Sequence, residues 1–239
     1  MKIETTATAL SSKTRPFTVL SLICLCVVAV TIYLPNLHIL IYKHLASNGT
    51  EIHKASFLGH ITQILIYDIA LIGSTLLGLR FLRIPLPEIG WRKPKILQLA
   101  RSVAIMFIAL LLMGEAYSIF KTVSFRLPNF VLAKNWGDLG NTSVYIFLFT
   151  SVFNAPIEEV FYRGFLLTAI KKRTSAIAAI ILSALVYAAA HFNVSNDLLQ
   201  IFISGIILAL LKTWGDNLWN PIAAHLIKNA SASWFFIRF

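Results

Sequence analysis

Acidic residues are scarce in this chain: ten Asp and Glu stand against 21 Lys and Arg in 239 residues. Charge of either sign is scarce too, at 13%, about half of what a soluble domain carries. A chain so poor in charge does not clothe a water-soluble globule, and no segment reads as a soluble domain. Cysteine is limited to Cys24 and Cys26, near neighbours in one apolar run. That argues against a disulfide and leaves no CxxC metal pair, so the two read as small apolar helix fillers. The alternation typical of a transmembrane barrel is absent, as are internal repeats and low-complexity tracts. The zinc-peptidase motif HExxH is absent as well. The surplus of base, a net charge of +11, does not point to nucleic acid. The basic residues cluster between apolar runs, as expected of cytoplasmic loops beside an anionic lipid surface.

What the chain does have is hydrocarbon. Apolar residues make up 57% and the mean hydropathy is +0.75. Spans are expected at 17–34, 57–79, 98–119, 143–170, 176–192, 198–212 and 220–236. Each run is long enough, or nearly so, to cross about 30 Å of hydrocarbon as a helix. The run at 143–170 is too long for one upright span, and Pro156 is expected to break it near Ala155. The count is then seven spans or eight. The first run follows Lys2, Lys13 and Arg15, but it exceeds a signal-peptide core and no cleavage site follows closely, so it reads as a retained span. The expected fold is all-α: a polytopic transmembrane bundle of about 7–8 helices in a single integral membrane domain, 1–239, multi-pass in the cell membrane.

Orientation follows from two basic segments. One is "LRFLRIPLPEIGWRKPK", with Arg80, Arg83, Arg92, Lys93 and Lys95; the other is Lys171, Lys172 and Arg173. Both read as cytoplasmic, which a seven-span count with a cytoplasmic N-terminus satisfies. One tension follows. His191 lies 18 residues beyond Arg173, roughly 27 Å along a helix, deeper than Glu158 and His225. A tilted or re-entrant helix, or an inverted topology, would be needed to bring the three level.

Ionisable groups at membrane depth are costly and face a bundle interior or wet cavity. The C-terminal half holds a compact set: Glu158, Glu159, Arg163, His191, His225 and Asn229. Glu159 and Arg163 are four apart on one helix face and can pair. Glu158 is turned about 100° away. A buried carboxylate without a close cation is the better proton acceptor, so Glu158 is the candidate general base and Glu159–Arg163 a clamp. Tyr187 and His191 are again four apart, with three alanines between them that admit a helix or a peptide. His225 and Asn229 repeat the spacing; both carry donors suited to an oxyanion, and Asn serves equally as an interhelical bond.

The order EExxxR, [FY]xxxH, HxxxN stands here as Glu158-Glu159-Val-Phe-Tyr-Arg163, Tyr187-Ala-Ala-Ala-His191 and His225-Leu-Ile-Lys-Asn229. With Asn220 and Pro221 ahead of the last motif, it resembles the CAAX-protease and bacteriocin-processing (Abi) family of intramembrane glutamic endopeptidases. The motif core covers about 150–232, inside a catalytic segment at 143–236 that follows N-terminal spans at 1–142. The resemblance implies a cavity in the membrane where Glu158 and His191 activate water. It gives His225 and Asn229 the oxyanion hole, and Glu159 and Arg163 the site's geometry. Its substrates would be membrane-associated peptides or proteins: a prenylated CAAX protein, a pheromone precursor or a bacteriocin leader. It implies no cofactor and no nucleic-acid partner, only the bilayer and the substrate.

Three alternatives stand beside it. A glutamate and two histidines can hold a catalytic zinc, although Asn229 is a poor zinc ligand. A scaffold or immunity protein can keep the motif for packing. A transporter would use His60, Asp68 and Glu115 as an ion path, but the paired, broken helices of that class are not evident.

Overall fold

The computed structural model describes residues 4–50, 52–120, 149–191 and 198–238. Every regular element among them is helical, as the sequence predicts. The helices are α1 (Glu4–Ser47), α2 (Ile52–Leu82), α3 (Ile96–Phe120), α4 (residues 149–171), α5 (Ala176–Ala190), α6 (Leu198–Gly215) and α7 (Trp219–Arg238). A single 3₁₀ turn, Leu86–Ile89, lies between α2 and α3.

The run around Pro156 differs from expectation. α4 alternates a π-turn (Phe149–Asn154), an α-turn (Ala155–Glu159), a second π-turn (Val160–Leu166) and a last α-turn (Leu167–Lys171). Asn154 keeps helical dihedrals, φ −67° and ψ −45°, so the chain does not break at the proline. Proline lacks the N–H that would bond four residues back and crowds that carbonyl. The widened turn before it absorbs both defects while the helix continues. Residues 143–148 of the expected span lie outside the described residues.

Four helical stretches are long and apolar enough to cross a membrane: Thr18–Ser47, Ile61–Leu82, Ile96–Met113 and Leu198–Gly215. They cover four of the expected spans. The other three do not qualify on their own, for physical reasons. α5 has 15 residues, about 22 Å of helix against about 30 Å of hydrocarbon. α4 and α7 carry Glu158, Glu159, Arg163, His225, Lys228 and Asn229, and those groups dilute their apolar character.

Both basic segments lie at one end of the bundle, as the sequence reading requires. Lys172 pairs with Glu88 at 2.5 Å and Arg92 with Asp216 at 2.7 Å. The Asn217 amide donates to the Lys93 carbonyl (3.0 Å) and the Leu218 N–H to the Gly90 carbonyl (2.9 Å). These contacts tie the α2–α3, α4–α5 and α6–α7 connections together.

α4 occupies the centre. Phe161, Tyr162, Arg163, Phe165 and Leu166 on it are fully buried. Two glycines allow close approach to its neighbours. A Cβ at Gly78 on α2 would fall within the ring of Phe165. A Cβ at Gly205 on α6 would press against Ala184 and Tyr187 of α5. α5 starts at Ser175, whose hydroxyl accepts from the Ala178 N–H (3.2 Å) and satisfies one free donor of the first turn. Its buried residues Ala179, Ile180, Ser183, Ala184, Tyr187 and Ala188 recur at helical spacing, so one small-residue stripe faces the bundle.

Candidate active site

Five of the six residues singled out from the sequence converge where α4, α5 and α7 meet. Glu159 anchors the group. Its Oε1 accepts from Arg163 Nη1 at 2.8 Å and from His225 Nδ1 at 2.7 Å. Both members of the Glu159–Arg163 pair are wholly buried. The guanidinium also donates to the Gly205 carbonyl (3.4 Å) and stacks 4.2 Å from the Tyr187 ring centroid. A buried ion pair needs such supplementary partners to offset its desolvation. The clamp role read from the i,i+4 spacing therefore has a geometric counterpart that reaches α6 and α7 as well.

Glu158 stands apart from that clamp. Its Oε1 is 3.6 Å from His191 Nε2 and its Oε2 is 3.8 Å from His225 Nε2. Among the described residues it forms no ion pair with Lys or Arg. The carboxylate thus looks at two imidazoles rather than at a cation, and the contacts bring α4, α5 and α7 level despite their axial offsets along the chain.

The tautomers follow from the hydrogen bonds. His191 Nδ1 lies 2.8 Å from the Tyr187 carbonyl, which can only accept. Nδ1 therefore carries a proton, and in the neutral ring the Nε2 lone pair faces Glu158. His225 Nδ1 likewise donates to the Glu159 carboxylate. Its Nε2 is then an acceptor in the neutral ring, with the Tyr187 hydroxyl 3.4 Å away. Asn229, half-buried, sits on α7 one turn beyond His225.

Two participants lay within the motifs but were given no part in the chemistry by the sequence reading. Tyr187 is a hub: its ring lies 4.5 Å from that of His191 and 6.1 Å from that of His225, and it carries Arg163 on its face. Lys228 donates from Nζ to the Tyr187 hydroxyl at 3.0 Å. The lysine sits inside the HxxxN spacing, at a position the motif leaves free. Its signal was a charge within the span expected at 220–236.

Of the residues considered for an ion path, Asp68 is buried and accepts from the Asn154 amide at 2.7 Å. This is interior pairing. The side chains of His60 and Glu115 lie outside the described residues. A cavity of about 290 Å³ lies beside the site, lined by Ile72, Thr75, Trp91, Ile157, Val160 and Trp219 among others. None of the six candidate residues lines it. Among the described residues, no three His, Cys, Asp or Glu side chains are grouped as a ligand set for a metal ion.

Residues 140–231 match the family model described as type II CAAX prenyl endopeptidase Rce1-like. That stretch spans the converging motifs on α4, α5 and α7. No curated protein and no solved structure matches the chain.

Proposed function

We propose, with the match of residues 140–231 to the type II CAAX prenyl endopeptidase Rce1-like model as the premise, that this protein is a multi-pass peptidase of the cell membrane. It hydrolyses a peptide bond in a membrane-associated peptide or protein by means of a glutamate-activated water. The observation that carries the reading is the arrangement of acceptors around Glu158: a carboxylate oxygen and the His191 Nε2 lone pair 3.6 Å apart.

Two acceptors so close to each other favour a donor beside them. A water at that position donates one O–H to Glu158 and the other to His191, and its lone pair faces outward to a scissile carbonyl. As the water oxygen adds to the carbonyl carbon, its proton passes to Glu158. On collapse, that proton goes to the leaving amide nitrogen. Glu159 and Arg163 fix the imidazole of His225 and the α4–α7 distance, so the reacting groups stay placed. The face of α7 that carries Asn229 meets the carbonyl oxygen.

In this reading no metal takes part, and the substrates are of the CAAX type or related precursor peptides. The decisive experiment is turnover of a fluorescence-quenched peptide ending in a prenylated CAAX sequence, with the full chain in nanodiscs. Glu158→Gln and His191→Ala are each expected to abolish cleavage while expression and insertion stay at wild-type levels. Wild-type turnover by Glu158→Gln would remove Glu158 as the base and return the site to a packing or scaffold role.

A further inference from the structure

The site described so far contains two carboxylates and one guanidinium, with both imidazoles neutral. Arg163 is committed to Glu159. Glu158 has no cation of its own within the motifs. The missing charge is on Lys228. Lys228 reaches Glu158 through Tyr187 and His225 rather than by a direct ion pair. With both carboxylates ionised and Lys228 charged, the charges of the site sum to zero.

The ammonium is held in a defined place. Nζ donates to the Tyr187 hydroxyl at 3.0 Å and lies 5.4 Å from the centroid of the same ring. That hydroxyl is 3.4 Å from His225 Nε2, which in turn is 3.8 Å from Glu158 Oε2. Among the described residues, Lys228 forms no ion pair with a carboxylate. One of its three donors is used by Tyr187, which leaves two for another acceptor. Tyr187 itself is wholly buried, whereas Lys228 is only partly so, which makes the lysine the more open of the two.

The proton arrangement gives this cation its task. His225 Nδ1–H is spent on Glu159, so neutral His225 offers a lone pair, not a donor, at Nε2. The oxyanion of the tetrahedral intermediate requires donors. On α7 those donors are Asn229 and, three residues beyond His225, Lys228.

We propose that Lys228 is a further catalytic residue: its ammonium, steadied on the Tyr187 hydroxyl, binds the oxyanion formed when the activated water adds to the scissile carbonyl. The step balances within the site. The water proton goes to Glu158, the carbonyl π pair becomes the oxyanion held by the ammonium, and collapse breaks the C–N bond as Glu158 returns the proton to nitrogen. This inference rests on the proteolytic reading above and adds a residue at a position its motifs leave free.

The test uses the full chain in nanodiscs with the quenched prenylated CAAX peptide, its uncleavable amide-isostere version, and a phosphinate version whose anionic oxygen stands in for the oxyanion. Removal of an oxyanion donor typically costs about 10²–10³ in kcat. Lys228→Met is expected to lower kcat by about that factor with KM nearly unchanged, and to weaken phosphinate binding similarly while the isostere binds as to wild type. Lys228→Arg, which keeps a cationic donor, is expected to recover part of both. A Lys228→Met enzyme with kcat within about threefold of wild type overturns the proposal. Equal weakening of phosphinate and isostere also overturns it, because the lysine would then serve ground-state binding or folding. Turnover that is lost in Glu158→Gln but kept in Lys228→Met overturns the lysine alone. A wild-type chain that cleaves none of the probe overturns the peptidase reading and this step together.

Discussion

Glu158 and Glu159 are neighbours in sequence but are expected to answer the same substitution in opposite ways. Glu159→Gln keeps the shape of the side chain and removes its charge. The lost carboxylate has two buried donors on one oxygen, Arg163 Nη1 at 2.8 Å and His225 Nδ1 at 2.7 Å. An amide oxygen accepts more weakly from both, and the guanidinium is left buried without a counter-ion. Breaking a buried pair from one side costs about 3–5 kcal/mol. For a chain of this size, each kcal/mol lowers the melting temperature by roughly 2–4 °C, so the expected drop is roughly 6–20 °C. Glu158→Gln removes a buried carboxylate that has no Lys or Arg partner within ion-pair distance. Its loss relieves a desolvation cost, so this variant is expected to melt at or above the wild-type temperature. The assay is loss of the monodisperse peak in fluorescence-detected size exclusion after heating detergent-solubilised protein. The hold time is fixed, because such unfolding is commonly irreversible. A Glu159→Gln variant that melts within 2 °C of wild type (about the effect of a single kcal/mol), or a Glu158→Gln variant that falls as far as Glu159→Gln, would refute the division of roles.

Two further outcomes are expected. Gly78→Ala places a methyl inside the Phe165 ring, which costs about 1–3 kcal/mol as overpacking; adding Phe165→Leu should restore part of the lost melting temperature, and a double variant no more stable than the single one would show that the contact is not the cause. Exhaustive dialysis against a chelator is expected to leave turnover of the prenylated peptide unchanged, whereas loss of activity that zinc alone restores would transfer Glu158, His191 and His225 to a metal site.

Helix identity was legible because the apolar runs are long and their chemistry leaves no other way to satisfy the backbone in lipid. The ends of those runs were less so. The apolar stretch at 176–192 reads as a span by hydropathy, yet its helix stops at Ala190, where His191 leaves helical dihedrals at φ −102° and ψ 4°. The π-turns of α4 have no period-3.6 signature, since a widened turn is a response to tertiary packing and to Pro156 rather than a local preference. The pairing of Glu159 with Arg163 was legible because four residues place two side chains on one face. It survives even though Arg163 lies in a π-turn.

The role of His225 shows what spacing does not encode. HxxxN places an imidazole and an amide side by side on α7, and the resemblance gives both to the oxyanion. Spacing does not say which ring nitrogen carries the proton. That is fixed by Glu159, 66 positions away in the chain, whose oxygen takes the Nδ1 proton at 2.7 Å. The same ion-paired glutamate therefore anchors Arg163 and leaves His225 Nε2 as an acceptor. Once Lys228 donates to the Tyr187 hydroxyl, that hydroxyl has its own proton free to point at Nε2. The result is a line of bonds from Lys228 through Tyr187 and His225 to Glu159, each donating to the next and the last held by Arg163. Such a line runs in only one direction, so it orients a neutral His225, with the ammonium at the end proposed to meet the oxyanion. The charge that stabilises an oxyanion and the charge that holds the helices together are then different charges, which is why the Lys228 and Glu159 substitutions should separate into a loss of kcat and a loss of melting temperature.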